Sequence, residues 1–131
     1  MLTPLKKILY VEDEPDIVTI AELALVTLGG FEFKSCSSGT EALAAIAQFK
    51  PDLVLLDVMM PGMDGVATLG ALRAEPATAQ VPVVFMTARS QPAELARYRS
   101  LGALDVITKP FDPLVLAEQV RAIWQRAHVE T

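Results

Sequence analysis

Two kinds of hydrophobic spacing alternate along this chain. Ile8-Leu9-Tyr10-Val11 and Leu53-Val54-Leu55-Leu56 are unbroken apolar runs, as expected of strands buried on both faces. Residues 82–86 form a similar run, which Pro82 can open without disrupting a ladder. Residues 105–108 are a fifth, shorter strand candidate, and residues 31–36 mix polar with apolar positions, as an edge strand does. Between these runs the spacing becomes helical. Residues 14–28 place Ile17, Ile20, Ala21, Ala24, Leu25 and Leu28 on one side, and Gly29-Gly30 stops them. Residues 38–49 do the same with Ala42, Leu43, Ile46, Ala47 and Phe49. Asp64 suits the cap of a helix running through Arg73. Residues 92–101 form a short helix closed by Gly102. Asp112 and Pro113 open a last one, with Leu116, Val120, Ile123 and Ala127 inward and Trp124 alongside. Strands alternating with helices predict an α/β fold, a parallel sheet covered by helices on both faces.

Ligands of such sheets bind outside the carboxyl ends of the strands. The polar residues predicted there are Glu12-Asp13 after the first strand, Asp57 at the end of the third, Thr87 after the fourth, and Lys109-Pro110 after the fifth. Three carboxylates on one sheet edge repel, by roughly 4 kcal/mol per pair at about 4 Å under an effective dielectric of 20. A divalent cation removes that cost, and carboxylates with open water positions suit Mg2+. Lys109 can neutralise an anionic oxygen and Thr87 can donate a hydroxyl proton. Metal, ammonium and hydroxyl around a free carboxylate make a site for phosphoryl transfer, with Asp57 as the nucleophile.

Composition narrows the possibilities. The 131 residues suit one domain, and 52% apolar content fills a core. A net charge of -5 argues against a direct grip on nucleic acid. The single cysteine, Cys36, has no partner for an internal disulfide. No apolar run approaches the ~18 residues that span a bilayer, and no apolar signal segment follows Met1, so the expected location is cytoplasmic. Cys36 reads as packing. Arg97, Arg99 and Arg121 read as a solvated basic face, or as partners for Asp105 or Glu118 of a second copy.

The motifs Val11-Glu12-Asp13-Glu14, Leu56-Asp57-Val58-Met59-Met60-Pro61-Gly62-Met63-Asp64-Gly65, Thr87-Ala88 and Lys109-Pro110-Phe111-Asp112 together resemble the response-regulator receiver family. The resemblance spans about residues 7–126 and treats residues 1–131 as one receiver domain. It implies a flavodoxin-like doubly wound sheet of five parallel strands, order 2-1-3-4-5, with five helices. Asp57 would be the phosphoacceptor and also one of the metal-site residues, and Asp13 the direct carboxylate ligand of Mg2+. Glu12 would support the metal, and Met59 would lend its backbone carbonyl. Thr87 would be the switch hydroxyl, and Lys109 would pair with phosphoryl oxygens ahead of a cis Pro110. The implied partners are a sensor histidine kinase or histidine phosphotransfer protein, and a downstream effector or fused output domain. No membrane or nucleic acid is implied for the domain itself. Some relatives dimerise through the last helix–strand–helix face. The implied role is a signalling switch that acts only on its own phosphorylation state.

One position departs from the family pattern. Three residues before the lysine, where Tyr or Phe is usual, stands Val106, which has no ring to swing. The expected readout therefore runs through the loop after the fourth strand and the helix behind it. Met59 and Arg89, each two residues beyond a site residue, offer no carboxylate or amide to orient water, which predicts slow self-dephosphorylation. Three rival readings remain. A haloacid-dehalogenase-type phosphatase would need an Asp-x-Asp on the first strand, whereas Asp57-Val58-Met59 lacks the second Asp and the acid pair comes first. A nucleotide or flavin module would want free amides after strand one, where Glu12-Asp13-Glu14 repels phosphate. A receiver that only docks would not need the full chemical set.

Overall fold

Strand side chains point alternately to opposite faces of a sheet, and the buried residues sort accordingly. The computed structural model describes residues 4–89 and 91–129; positions 1–3 and 130–131 of the expected domain lie outside the described residues. The chain order is β1 (Lys7–Val11), α1 (Pro15–Glu22, prolonged by a π-helical segment Leu23–Leu28), β2 (Glu32–Cys36), α2 (Gly39–Phe49), β3 (Leu53–Asp57), α3 (Gly65–Ala74), β4 (Val83–Thr87), α4 (Pro92–Ser100), β5 (Asp105–Thr108) and α5 (Leu116–Val129). The strands form one parallel sheet ordered β2-β1-β3-β4-β5, as expected, with the polar β2 at an edge.

Ile8, Tyr10, Leu53, Leu55, Val84 and Met86 face α1 and α5, where they meet Leu25, Leu116, Val120, Ile123 and Trp124. Leu9, Val11, Val54, Leu56, Val83 and Phe85 face α2, α3 and α4, meeting Ile46, Leu69, Leu72 and Tyr98. Each fully buried aliphatic side chain contributes about 1.5–3 kcal/mol, so the central strands are the most firmly fixed part of the chain. No helix among the described residues is long and apolar enough to cross a membrane.

Several element boundaries differ from the sequence expectation, three of them with a backbone cause. The helix expected over residues 14–28 is α-helical only to Glu22 and then widens to π geometry. It stops as expected: Gly30, at φ 77°, turns the chain while Gly30 N and Phe31 N donate to the carbonyls of Val26 and Leu25. The strand expected from Pro82 begins at Val83, since proline has no N–H for the ladder, although its carbonyl still accepts from Val54 N at 2.9 Å. The last helix begins at Leu116 rather than Pro113. Asp112 does cap the chain there, its Oδ1 accepting from Leu114 N at 2.9 Å. The Asp112 carbonyl accepts from both Val115 N at 3.1 Å and Leu116 N at 3.0 Å, so the opening turn mixes 3₁₀ and α bonding.

The basic residues expected to form a solvated face are partly committed within the chain. Arg99 and Arg126 reach the two carboxylate oxygens of Asp105 at 2.8 and 3.1 Å, joining α4, β5 and α5. Arg121 donates to the Gly29 carbonyl and lies 4.5 Å above the Phe31 ring. Asp105 also accepts from Val106 N at 2.8 Å. Burial raises its pKa, but the Arg99 bond, the Val106 N–H and Arg126 outweigh burial and hold it below the usual value. A carboxylate with a depressed folded-state pKa stabilises above its unfolded pKa, and that stability is lost as pH falls through the folded value. Asp105→Asn is therefore expected to cost roughly 1 kcal/mol at neutral pH. The difference from the unmodified protein should close below about pH 4 in urea titrations.

Candidate functional site

The sheet places its polar chemistry at one end. Glu12 continues the alternation of Ile8 and Tyr10 just beyond β1, Asp57 continues that of Leu53 and Leu55, and Lys109 follows Ile107 by two. All three thus belong to the sheet face covered by α1 and α5. Backbone pairing fixes the strand ends, with Glu12 N donating to the Cys36 carbonyl at 3.0 Å and Val58 N to the Met86 carbonyl at 3.0 Å.

These residues meet as expected. Lys109 Nζ stands 3.0 Å from Glu12 Oε1 and 3.3 Å from Asp57 Oδ1, although the chain separates them by 97 and 52 positions. Oxygens of Glu12, Asp13 and Asp57 lie within 4.8 Å of one another. Asp57 Oδ1 also accepts from Met59 N at 3.2 Å, and Glu12 Oε2 from Glu14 N at 3.4 Å. Glu12 and Asp57 are 2% and 3% exposed, whereas Asp13 is more open to solvent. The Lys109–Pro110 peptide is cis.

Three carboxylates face one ammonium here, so the cluster carries excess negative charge in a poorly solvated place. Burial, and then the neighbouring Asp57 carboxylate, push the Glu12 carboxyl up to about 7 against the opposing pull of Lys109. For Lys109 burial acts downward, but its bonds and proximity to Glu12 and Asp57 outweigh it and raise the pKa. Both shifts describe a site short of positive charge. The donor set fits Mg2+: all ligands are oxygens, and oxygens opposed across that ion stand about 4.2 Å apart. A spread of up to 4.8 Å suits direct contact from some of the acids and a water bridge from another.

Thr87 stands apart from this group. It continues the alternation of Val83 and Phe85, hence the face covered by α2, α3 and α4. Its Oγ1 accepts from Arg89 N at 3.1 Å. Met59, two residues beyond Asp57, is 62% exposed.

Sequence reasoning overlooked two neighbours. Gly65, read only as part of a turn, lets α3 start directly against the end of β3. A Cβ there would lie 2.5 Å from the Asp57 carbonyl oxygen and 2.8 Å from Val58 Cα, and Gly65 N donates to the Val58 carbonyl at 3.0 Å. Tyr10 was read only as part of a buried run. Its hydroxyl is buried without a hydrogen-bond partner among the described residues, and its pKa is raised by burial and then by Glu12 and Asp57. Nothing in the sequence marked Gly65, since an Asp-Gly pair signals a turn wherever it occurs.

Comparison with known proteins agrees with this geometry. The family model described as "Response regulator receiver domain" matches residues 8–121. The DNA-binding response regulator MtrA of Mycolicibacterium smegmatis is 38% identical over 128 residues, covering 96% of this chain and 54% of that protein. The alkaline phosphatase synthesis transcriptional regulatory protein PhoP of Bacillus subtilis is 37% identical over 124 residues, 95% of this chain and 50% of its own. The chain thus spans about half the length of these curated relatives. Among solved structures, a putative response regulator from Chloroflexus aurantiacus superposes with a TM-score of 0.82 at 32% identity, covering 95% of this chain and 100% of that one. The signal receiver domain of a signal transduction histidine kinase from Syntrophus aciditrophicus gives 0.79 at 33% identity, covering 94% and 92%.

Lys109→Met tests the electrostatic balance. It leaves two buried carboxylates without their cation, and the expected loss in metal-free protein is roughly 3 kcal/mol, at the low end for a broken buried pair because Glu12 can take up a proton. Urea unfolding should show that loss, and Mg2+ should recover a large part of it. Gly65→Ala should lower the thermal midpoint and weaken Mg2+ binding together, as followed by calorimetry, because it displaces the Asp57 backbone.

Proposed function

The chain belongs to the response-regulator receiver family, and we propose on that footing that Asp57 is where it receives its phosphoryl group. Membership of the family makes the chain a phosphorylation-dependent switch, not an enzyme that turns over an external substrate. The supporting observation is Lys109 Nζ lying between Glu12 and Asp57 inside a cluster of three acids. Residues 1–131 are read as one receiver unit.

The reaction follows from the charges. An Asp57 carboxylate oxygen attacks phosphorus in the donor, a phosphohistidine of a sensor kinase or phosphotransfer protein. The O–P bond forms as the P–N bond breaks, and the electron pair leaves with the imidazole. Lys109, held between two carboxylates beforehand, turns its ammonium to the incoming phosphoryl oxygens and offsets their charge. Asp13 directly, Glu12 at one remove and the Met59 backbone carbonyl would hold Mg2+, which supplies charge neutralisation between acid cluster and phosphate. The Met59 amide, already bonded to Asp57 Oδ1, fixes the carboxylate for attack. Thr87 then gives up the Arg89 amide and donates its hydroxyl proton to a phosphoryl oxygen. A population shift between two arrangements results, read by a downstream effector or a fused output domain. MtrA, which is named as DNA-binding, extends well beyond the matched region, so nucleic-acid contact is assigned to such an output and not to this domain. Pairing of two copies through α4, β5 and α5 would have to compete with the internal Asp105 ion pairs.

Incubation with acetyl phosphate tests the reading. Intact-mass measurement should show one added phosphoryl group with Mg2+ present and none after chelation or in Asp57→Ala. Persistence of the adduct in Asp57→Ala would assign the acceptor elsewhere. With no amide or carboxylate at Met59 or Arg89 to orient water, the adduct should decay slowly, and a lifetime of only seconds would contradict that.

A further inference from the structure

Transfer of a phosphoryl group leaves Glu12 short of a donor. In the resting domain its Oε1 is answered by Lys109 Nζ at 3.0 Å, and its Oε2 only by Glu14 N at a long 3.4 Å. When Lys109 turns to the phosphoryl oxygens, Oε1 loses that bond while the residue, 2% exposed, stays shut off from solvent. Glu12 is read as meeting Mg2+ at one remove, so its own oxygens still need donors. A buried carboxylate stripped of its partner is costly. Two donors near the cluster are already committed: Met59 N to Asp57 Oδ1, and the Thr19 hydroxyl to the Pro15 carbonyl.

The hydroxyl of Tyr10 is uncommitted. Tyr10 and Glu12 are two apart on one face of β1, and the register partner of Tyr10 is Leu55, two before Asp57 on the same face of β3. The phenol thus stands one row behind the two buried acids, and both act on it electrostatically. Its ring is 1% exposed and stacks on Phe33, with centroids 5.8 Å apart and planes at 27°. Among the described residues its oxygen is the one buried side-chain polar atom without a hydrogen-bond partner. Packing does not account for that oxygen. Every other residue of the runs 8–11 and 53–56 is aliphatic, and phenylalanine would fill the same space without the cost of an unpaired buried hydroxyl. Burial and the two acids keep the phenol protonated, so it has a proton to offer.

We propose that Tyr10 is a positioning residue of this site: its hydroxyl donates to the Glu12 carboxylate, directly or across one buried water, once Lys109 has turned to the phosphoryl group. The resting domain holds this donor in reserve, unpaired while Lys109 occupies Glu12 and paired when Lys109 leaves. A hydrogen bond from a phenol to a carboxylate is stronger than one between neutral groups, and a single enclosed water can relay it. The exchange keeps the Glu12 carboxylate in place without recruiting a group from solvent. This inference rests on Asp57 as phosphoacceptor and on Lys109 as the cation that meets the phosphoryl oxygens, and adds a residue that neither role requires.

Tyr10→Phe, together with tyrosine carrying carbon-13 at Cζ, tests it. The protein has two tyrosines, so the NMR line missing from Tyr10→Phe is that of Tyr10. Acetyl phosphate and Mg2+ are added, and mass spectrometry of the same sample counts phosphoryl groups. The Tyr10 line is expected to move downfield on phosphorylation, as a phenol does when it donates to an anion. Before phosphorylation, Tyr10→Phe should match or exceed the unmodified protein in thermal midpoint, since no bond is lost. It should take up the phosphoryl group about tenfold more slowly, because Lys109 then leaves Glu12 bare, and should have the lower midpoint afterwards. An unmoved Tyr10 line in fully phosphorylated protein overturns the inference while leaving the phosphoacceptor assignment intact. So does an unchanged uptake rate in Tyr10→Phe, or a midpoint lowered equally before and after phosphorylation, which would make the residue packing only. If the unmodified protein gains no phosphoryl group at all, the acceptor assignment fails and this inference with it. Should Tyr10→Phe fail to fold, Tyr98→Phe assigns the two lines and the shift of Tyr10 decides the matter.

Discussion

A surplus of negative charge in a place with little water is the constraint around which this molecule is organised. Glu12 and Asp57 are both buried, Asp13 stands close by, and Lys109 alone among their described ion-pair partners answers them. A protein selected only for stability would replace such a cluster with apolar side chains of similar volume. Keeping it means the resting domain is incomplete by one or two positive charges. Burial holds a proton on Glu12 more tightly than usual, and the two acidic neighbours of Lys109 raise its pKa although burial acts the other way. Those shifts are the resting-state image of a cation requirement.

The scaffold that tolerates this strain is stiff where the acids are attached. β1 and β3 are adjacent, in register from Ile8↔Leu53 to Val11↔Leu56, and buried on both faces. The carboxylates therefore cannot relax apart by moving their strands, and what remains free to adjust is side chain, loop and proton. This is how a functional site can be unfavourable locally without endangering the fold.

Much of this was legible in the chain. Unbroken apolar runs gave the central strands to within a residue, because burial on both faces leaves no polar position to blur them. The meeting of Glu12, Asp57 and Lys109 followed from a general rule about strand ends in parallel sheets. Boundaries set by backbone detail were less visible. The widening of α1 after Glu22 and the mixed turn ahead of Leu116 depend on how amides and carbonyls pair, and side-chain spacing does not encode that choice. Arg99 and Arg121 looked like surface charge because their partners, Asp105 and the Gly29 carbonyl, come from other elements. Tyr98 stayed hidden since a lone aromatic in a polar helix has no periodic pattern to announce it.

The alternation of strand side chains puts Asp57 and Thr87 on opposite sides of the sheet, though their strands are neighbours. A phosphoryl group held by both would act as a stitch through the layer, in addition to the Arg99–Asp105–Arg126 ion pairs that already join α4 to α5 around β5. The two sides of the sheet can then accept substitutions separately wherever no such link crosses between them.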